Sequence, residues 1–287
     1  MKYMKYIITM TVMFMAFACG DPEVNFDDVT YQPKIVVESI ISPGEKMDGI
    51  LLMRNFAIET NVDSNEVYLD PDLNNVTASI NGKALLYDDI TRSYYLDENA
   101  AYDADYTLQV SAVIDDELLE CSSTTHTPSP GFELVENNLG TLQYRVDEVV
   151  FHYYPSPGTD TYAFSIRPEG ATLDNFIYDN PYFSIERDDL EDDFNDYLYE
   201  YNMVINVNSY STDPIEYEVI GFDTWFYTPY TLIAYAADKN YKDYLITADN
   251  VQEPDGNFIQ PTFHFEGDGI GIFGSAIRDT LRFELVK

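Results

Sequence analysis

The chain has 287 residues, with 51 acidic residues against 15 Lys and Arg, so its formal net charge is −36 at pH 7. A charge of this sign argues against nucleic acid and anionic lipid surfaces as partners, whereas cations, basic peptides and neutral glycans are not repelled. The length exceeds that of a usual single domain and predicts two domains.

The first 18 residues have the layout of a signal peptide. A basic start precedes an apolar run that is shorter than the roughly 20 residues that a membrane-spanning helix needs. The run ends in Ala16-Phe17-Ala18-Cys19, which resembles a lipobox, where the cysteine thiol receives diacylglycerol before cleavage. We therefore predict a signal peptide over residues 1–18, lipid on Cys19 and an acidic tether over residues 19–30. The alternative is an ordinary secretory signal cut after Ala18.

Lipid on Cys19 has two consequences for the mature chain. Removing residues 1–18 removes two lysines and no acid, so the formal net charge becomes −38. Only Cys121 then keeps a thiol, so no internal disulfide forms and an ordinary apolar core must hold the fold. Cys121 has acidic neighbours and is predicted to be a half-buried strand residue rather than a nucleophile.

Residues 31–128 show short strand patterns with turn signals at a spacing of roughly ten residues. Tyr106, Leu108 and Val110 alternate with polar residues, and Asn81-Gly82 is a strong hairpin signal. This pattern predicts an immunoglobulin-like β-sandwich. Two prolines and a glycine in Thr127-Pro128-Ser129-Pro130-Gly131 end the run, so we place a domain boundary there.

Residues 129–287 predict a second β-rich domain with one or two short helices, so the whole chain is expected to be mainly β. Apolar residues recur at helical spacing within residues 188–201 and 236–247. Strands are predicted at residues 148–154, 161–166, 203–210, 217–226 and 280–286.

Gly269-Ile270-Gly271-Ile272-Phe273-Gly274 matches the dinucleotide-binding fingerprint in its letters. Only 13 residues follow it, which is too few for the helix, second strand and ribose-binding acid that such a site requires. We expect these glycines to form a tight turn before the last strand.

No catalytic residue is predicted, because the chain lacks a recognised catalytic motif. His126, His152 and His264 are far apart in sequence, and there is neither a nucleophile elbow nor a phosphate-binding lysine loop. His152 and His264 are expected to be hydrogen-bonded structural residues in strands. With 51 acids some carboxylates will lie close together by chance, so a carboxylate-based envelope hydrolase remains an alternative.

Two acidic clusters are weak calcium candidates. One contains Asp188, Asp189, Asp192 and Asp193, and the other contains Asp70 and Asp72 but lacks the glycine and glutamate of an EF-hand loop. Our first interpretation of both is a solvated acidic face. No cofactor is predicted, and a Ca²⁺-dependent adhesion module is a further alternative.

The unusual feature of the composition is its 25 tyrosines, beside one tryptophan. Tyrosine and tryptophan are enriched where proteins meet partners or sugars. The candidate ligand-binding aromatics are Trp225, Tyr227, Tyr230, Tyr178 and Tyr182. An equally good interpretation is that these rings fill the core of a β domain.

The chain resembles a family of Bacteroidota lipoproteins grouped as domain of unknown function 4249 (DUF4249). The resemblance covers nearly the whole mature chain and rests on Cys19, Pro33 to Glu38, Tyr106 to Val110 with Thr127-Pro128, and the terminal glycine segment from Gly269 to Gly274. Ser39 departs from the glycine that similar proteins often have after the glutamate. The resemblance implies a partner of TonB-dependent transporters at the outer membrane, and it carries over no activity or functional residue.

Together these observations predict a surface-exposed lipoprotein, anchored in the bacterial outer membrane through Cys19. Its expected role is that of a non-enzymatic binding or accessory partner of a TonB-dependent uptake system. An aromatic patch far from the lipid would favour this role, whereas two buried acids facing each other in a cleft would favour the hydrolase.

Overall fold

The structure is a computed structural model that describes residues 31–57, 60–64, 66–180, 187, 190, 194–198, 201–206, 212–219, 224–248 and 261–287. The predicted signal peptide, Cys19 and the tether therefore lie outside the described residues. Within these ranges, none of the helices has both the length and the apolar character needed to cross a bilayer.

The described residues form 17 strands, one α-helix and two 3-10 helices, so the predicted mainly β fold is confirmed. The 3-10 helices are Leu173–Asn175 and Phe194–Tyr197, and helix α1 is Lys239–Ala248. The strands are β1 (Ile35–Ile41), β2 (Lys46–Arg54), β3 (Thr77–Ile80), β4 (Lys83–Ala84), β5 (Leu86–Asp88), β6 (Ser93–Asn99), β7 (Asp105–Ile114), β8 (Glu117–His126), β9 (Glu133–Leu134), β10 (Asn138–Gln143), β11 (Val149–Tyr154), β12 (Thr161–Pro168), β13 (Tyr201–Asn206), β14 (Ile215–Val219), β15 (Pro229–Ala237), β16 (Glu266–Gly267) and β17 (Gly269–Val286).

The N-terminal β-sandwich follows from the alternation seen in the sequence. One sheet has the order β17-β1-β2-β6-β5 and the other has the order β16-β8-β7-β3-β4. Alternate residues of β7, among them Leu108 and Val110, are buried and meet Ile35 and Leu52 of the opposite sheet in one apolar core. The predicted hairpin at Asn81-Gly82 joins β3 to β4, with both residues at positive φ (49° and 76°).

The C-terminal β-sandwich pairs a sheet of order β13-β12-β15-β17-β10 with a sheet of order β14-β11-β9. Their facing side chains form a second apolar core. Phe151 of β11 meets Phe164 of β12 edge to face, with ring centroids 5.0 Å apart. Such aromatic pairs contribute to stability beyond the area that they bury.

Strand β17 belongs to both sandwiches. Its first seven residues pair in parallel with β1, from Ile35 opposite Gly269 to Ile41 opposite Ser275. Its next nine residues pair antiparallel with β15, from Ala276 to Glu284. At about 3.3 Å per residue, its 18 residues span about 60 Å. Residues 266–275, far along the chain, therefore complete the sheets of the N-terminal sandwich.

The predicted tight turn at residues 269–274 is wrong, because these glycines open β17. At Gly269 and Gly271 another element comes too close for a side chain, and at Gly274 the approach is tight. Gly271 has a φ of +100°, and a Cβ there would overlap the carbonyl oxygen of Val37 on β1. A Cβ on Gly269 would lie 2.7 Å from the Cβ of Cys121, and one on Gly274 would lie 3.1 Å from the Cβ of Tyr241.

A buried polar cluster joins the two sandwiches at the start of helix α1. The carboxylate of Asp238 accepts hydrogen bonds from the Thr125 hydroxyl (2.6 Å) and from the backbone N–H groups of Tyr241 (2.9 Å) and Ser275 (3.0 Å). The side-chain amide of Asn240 donates to one backbone carbonyl of β8 (2.8 Å) and one of β17 (2.9 Å). Asp238 thus caps the helix and ties it to the N-terminal sandwich.

The two predicted helices have different outcomes. The helix predicted over residues 236–247 is confirmed as α1. The helix predicted over residues 188–201 is wrong at its end, because Tyr201 begins β13 and residues 194–197 form a 3-10 turn. Most of its acidic residues lie outside the described residues.

Candidate functional site

The end of the C-terminal sandwich farthest from residue 31 carries several aromatic side chains. Strand β1 begins beside Gly269, so β17 runs away from the point where the described chain begins. The Tyr144 N–H donates to the carbonyl of Val286, the last residue of β17 (2.8 Å), which places Tyr144 at the far end. We define the distal tip as Tyr144, Arg145, Val146, Tyr178, Asp179, Trp225 and Tyr227.

Two short segments of the chain build most of the distal tip. The Ile177 N–H donates to the Trp225 carbonyl (2.9 Å), and the Tyr227 N–H donates to the Asn175 carbonyl (2.7 Å). These bonds flank a single antiparallel bridge between residues 176 and 226. The segment 224–228 then leads directly into β15, so the sheet fixes its position.

Ring contacts hold Trp225 in place. Its ring stacks on that of Phe176, with centroids 6.3 Å apart and planes within 9°, and the ring of Tyr197 meets it edge to face at 5.2 Å. Phe176 and Phe226 are buried beneath, whereas Trp225 is half-buried. A ring that is already ordered loses little conformational entropy when a ligand covers it.

Tyr227 connects the aromatic rings to polar groups. Its hydroxyl donates to Oδ1 of Asp179 (3.2 Å), and its ring meets that of Tyr144 edge to face at 5.7 Å. Burial, with a smaller contribution from the charge of Asp179, raises the pKa of Tyr227 to about 12, so its phenol stays neutral and keeps its proton at physiological pH. Arg145 donates to the backbone carbonyl of Asp179 and lies over the Tyr144 ring, 5.2 Å from its centroid.

The distal tip therefore combines apolar contact area with a few hydrogen-bonding groups. Val146 is 67% exposed and Tyr178 is 37% exposed, and the Tyr178 hydroxyl donates to the Leu173 carbonyl (3.1 Å). Rings of this kind stack on sugars and on apolar parts of proteins, while Asp179 and Arg145 offer an acceptor and a cation.

The structure brings together three of the five predicted aromatics, Trp225, Tyr227 and Tyr178. The prediction for Tyr230 is wrong, because that side chain is 2% exposed and its hydroxyl bonds to the backbone N (2.9 Å) and O (3.0 Å) of Phe226. Tyr230 belongs to the core. Tyr182 lies outside the described residues, as do the calcium candidates Asp188, Asp189, Asp192 and Asp193.

Sequence reasoning missed Tyr144, Arg145 and Val146. They follow β10, whose parallel pairing with the last residues of β17 brings them to the tip. Arg145 has a φ of +61°, an uncommon conformation for a residue with a side chain, and it turns the chain at this point. The local pattern of the sequence does not predict this placement.

The three histidines each contact carboxylates. His126 lies between Asp105 (2.8 Å) and Asp103 (3.3 Å), and its hydrogen bond to Asp105 is the largest cause that raises its pKa. His152 is a residue of β11, and its Nδ1 lies 3.0 Å from Oε1 of Glu136. Nε2 of His264 lies 2.8 Å from Oδ2 of Asp243. His264 was predicted in a strand but precedes β16. Among the described residues, no group of three or more His, Cys, Asp or Glu side chains is arranged to hold a metal.

No two buried acids face each other among the described residues. Asp238 is the single carboxylate among their buried polar side chains, and its hydrogen bonds to the backbone and to Thr125 account for its burial. Asp70, a calcium candidate with Asp72, instead accepts the N–H groups of Asp72 (2.8 Å) and Leu73 (3.1 Å) and so closes its own turn.

Cys121 is a buried residue of β8, 6% exposed. Burial raises the pKa of its thiol to about 12. The thiol is therefore protonated at neutral pH, and a thiolate is what nucleophilic chemistry would require.

No protein-family model and no curated protein sequence matches the chain. Among solved structures, it is similar to a titin fragment (8% identity over 90% of this chain and 98% of that one, TM-score 0.22). It is also similar to a Salmonella alpha-2-macroglobulin reacted with methylamine (13% identity over 91% of this chain and 16% of that one, TM-score 0.24). A third is a SusE-like surface located polysaccharide binding protein from the Bacteroides thetaiotaomicron heparin utilisation locus (8% identity over 90% of this chain and 35% of that one, TM-score 0.22). With TM-scores below 0.25, these similarities assign no function to the chain.

Proposed function

We propose that the mature protein is a non-enzymatic binding lipoprotein, anchored through Cys19 in the bacterial outer membrane, which meets its ligand or partner through the distal tip. The observation that carries this proposal is the position of the tip. The aromatic surface lies at the end of the molecule opposite Tyr31, the residue to which the tether connects, and β17 separates the two ends by about 60 Å.

The composition of the distal tip supports a contact surface rather than a catalytic one. Tyrosine, tryptophan and arginine are the residues that most often dominate binding energy at interfaces, and the tip holds all three types. Trp225 and Tyr227 are held by neighbouring rings and by Asp179, so they are ordered before a partner arrives. Pre-ordering lowers the entropic cost of binding.

Charge narrows the class of partner. With a formal net charge of −36, the protein repels polyanions, which favours a neutral glycan or a protein surface with basic or aromatic groups. The resemblance to DUF4249 lipoproteins points to a TonB-dependent transporter as the protein partner. A tip held about 60 Å from the anchor end would meet the extracellular loops of such a transporter.

The anchor is tested separately from the tip. We expect metabolic labelling with a fatty acid to mark the wild-type protein and not a Cys19→Ala variant. Wild-type protein on intact cells should be digested by an added protease. An unlabelled wild-type chain, or one that is protected until cells are lysed, would contradict the proposed lipidation or the proposed exposure, respectively.

The tip is tested with a pair of tyrosines of equal exposure. Tyr178 at the tip is 37% exposed, and Tyr154 at the end of β11 is 38% exposed. Tyr154 leads towards Ser156, whose hydroxyl donates to the carbonyl of Ser129 beside the boundary between the sandwiches, so it lies away from the tip. We expect Tyr178→Ala to lower recovery of the TonB-dependent transporter from membrane extracts about ten-fold, and Tyr154→Ala to leave it unchanged. Equal recovery with both variants would exclude the tip as the contact surface.

A further inference from the structure

Three aliphatic side chains are strongly exposed on the N-terminal sandwich, two of them on turns and the third, Leu118, as the second residue of strand β8. Ile90 is 94% exposed, Leu73 is 83% exposed and Leu118 is 65% exposed. Single exposed aliphatic side chains are common on protein surfaces. Their positions relative to one another therefore decide whether these three residues can form a contact surface. We name these three residues the proximal rim.

Leu118 and Leu73 lie at the end of the sandwich where the described chain begins. The Tyr31 hydroxyl donates to Oδ2 of Asp115 (3.0 Å), and Asp115 lies in the turn from β7 to β8, three residues before Leu118. The Val113 N–H donates to the carbonyl of Asn74 (2.7 Å), which brings the turn that carries Leu73 to the same end.

Ile90 lies at this end as well, on the other sheet. It occupies the turn between β5 and β6, and β6 runs beside β2 with Tyr94 opposite Ile50. Further along β2, Arg54 lies opposite Ile35, the first residue of β1, and Met53 pairs with Tyr68. The guanidinium of Arg92 in the Ile90 turn lies 5.7 Å from the centroid of the Tyr68 ring.

Aspartate carboxylates accept the backbone N–H groups of two of the three aliphatics. Oδ1 of Asp88 accepts the N–H of Ile90 (2.8 Å), and Oδ1 of Asp70 accepts the N–H of Leu73 (3.1 Å). Asp88 at the end of β5 and Asp70 thus fix the backbone of these two turns, and the side chains of Ile90 and Leu73 are exposed to the solvent.

We propose that the proximal rim rests in the headgroup and acyl boundary of the membrane that carries the lipid on Cys19. This inference depends on the proposed lipid anchor. The tether has 12 residues, from 19 to 30, and at full extension it covers at most about 40 Å. It joins the fold at Tyr31, so the rim is the part of the sandwich nearest the lipid surface. Exposed aliphatic side chains gain from burial at that boundary.

The charges beside the rim select the type of lipid. Asp72 and Asp89 directly precede Leu73 and Ile90, Asp116 lies two residues before Leu118, and all three aspartates are exposed. They repel anionic headgroups, so we expect contact with zwitterionic lipids such as phosphatidylcholine and phosphatidylethanolamine, and weaker contact when anionic lipid is added.

The test measures the depth of single positions on vesicles. The lipidated protein would carry a fluorophore on Ile90→Cys or, as the control, on Val146→Cys at the distal tip, where the native side chain is 67% exposed. Cys121 is buried and Cys19 carries lipid, so neither is expected to take the label. In phosphatidylcholine vesicles that contain brominated lipid, we expect quenching at position 90 to be at least about five-fold stronger than at position 146.

The outcomes separate the two proposals. Protein that floats with the vesicles but shows equal quenching at positions 90 and 146 overturns the rim contact and leaves the anchor intact. Protein that fails to float refutes the lipid anchor, and the rim contact with it. Quenching at position 90 that rises with anionic lipid overturns the selection by charge. Thermal melting of both labelled variants, within a few degrees of wild type, shows that the fold is retained.

Discussion

Replacing Asp238 with alanine should destabilise the protein strongly, because one carboxylate serves both sandwiches. It accepts hydrogen bonds from the Thr125 hydroxyl of β8, from the N–H groups of Asn240 and Tyr241 in helix α1, and from the N–H of Ser275 in β17. Asp238 is 9% exposed and Ser275 is fully buried, so the donors lose their acceptor in a site that is closed to bulk solvent.

The expected loss in the free energy of unfolding follows from these hydrogen bonds. A hydrogen bond to a charged group contributes about 1.5 to 3 kcal/mol, an N-cap contributes about 0.5 to 2 kcal/mol, and these terms are not additive within one cluster. We therefore expect Asp238→Ala to lower the free energy of unfolding by about 3 to 5 kcal/mol. Asp238→Asn keeps one acceptor oxygen in place and should cost about 1 to 2 kcal/mol.

Urea denaturation of the unlipidated Cys19→Ala protein would measure both values, with two probes. The chain has one tryptophan, Trp225, so its fluorescence reports on the C-terminal sandwich, whereas circular dichroism reports on both sandwiches. We expect the two transitions to coincide in the parent protein and to separate in Asp238→Ala, because the variant loses the hydrogen bonds that this carboxylate accepts from Thr125 and Ser275 of the N-terminal sandwich. A loss below about 1 kcal/mol, or coincident transitions in the variant, would refute the role that we assign to this carboxylate.

Three further predictions concern single side chains. Gly271→Ala should lower the free energy of unfolding, measured by urea denaturation, by about 3 kcal/mol or more, because it adds a clash with β1 to an unfavourable φ. Gly140→Ala, with a φ of +72° and open space around it, should lower it by about 1 kcal/mol, and equal losses for the two variants would contradict the close approach of β1. Tyr230→Phe should lower the free energy of unfolding by about 1 to 2 kcal/mol through the lost hydroxyl bonds and leave transporter recovery unchanged. Reduced recovery at full stability would show that Tyr230 belongs to the contact surface and not to the core. Because the pKa of His126 is raised, its contacts with Asp105 and Asp103 should stabilise the fold fully below pH 6.5, the ordinary pKa of histidine. This contribution is lost as the pH rises through the folded-state pKa. Because His126 is largely exposed, the melting temperature of wild type relative to His126→Gln should fall by at most about 3 °C between pH 6 and pH 8.5, and a rise would contradict the ion pairs.

The local pattern of the sequence was sufficient to predict most strands of the N-terminal sandwich. Leu108 and Val110 alternate with polar residues because one face of β7 is buried, and the Asn81-Gly82 turn needs positive φ at both positions. Both features depend on neighbours along the chain. Sequence periodicity therefore identifies them without knowledge of the tertiary structure.

The features that sequence reasoning missed depend on contacts between distant residues. The glycines at positions 269, 271 and 274 indicate places with little or no room for a side chain, and a tight turn is one reason for such a pattern. The actual reason is the approach of β8, β1 and helix α1, which no local pattern specifies. Tyr230 and Tyr227 differ in the same way. They are three residues apart in one aromatic segment, and only the packing of β15 against β17 decides that Tyr230 is buried.

Strand β17 relates the two proposed surfaces to each other. A linker between two sandwiches would let the distal tip swing relative to the membrane, whereas here one strand is hydrogen-bonded into both sandwiches and Asp238 fixes helix α1 across the same boundary. The tip is therefore held at a defined distance from the proximal rim. If the rim rests on the lipid surface, the orientation of the tip is also defined. Three contact points on two sheets fix the orientation of the sandwich relative to the membrane plane, whereas a single lipid tether leaves it free to rotate. A partner embedded in the same membrane would then meet the aromatic tip at one height and in one orientation, which lowers the entropic cost of docking compared with a freely tethered domain.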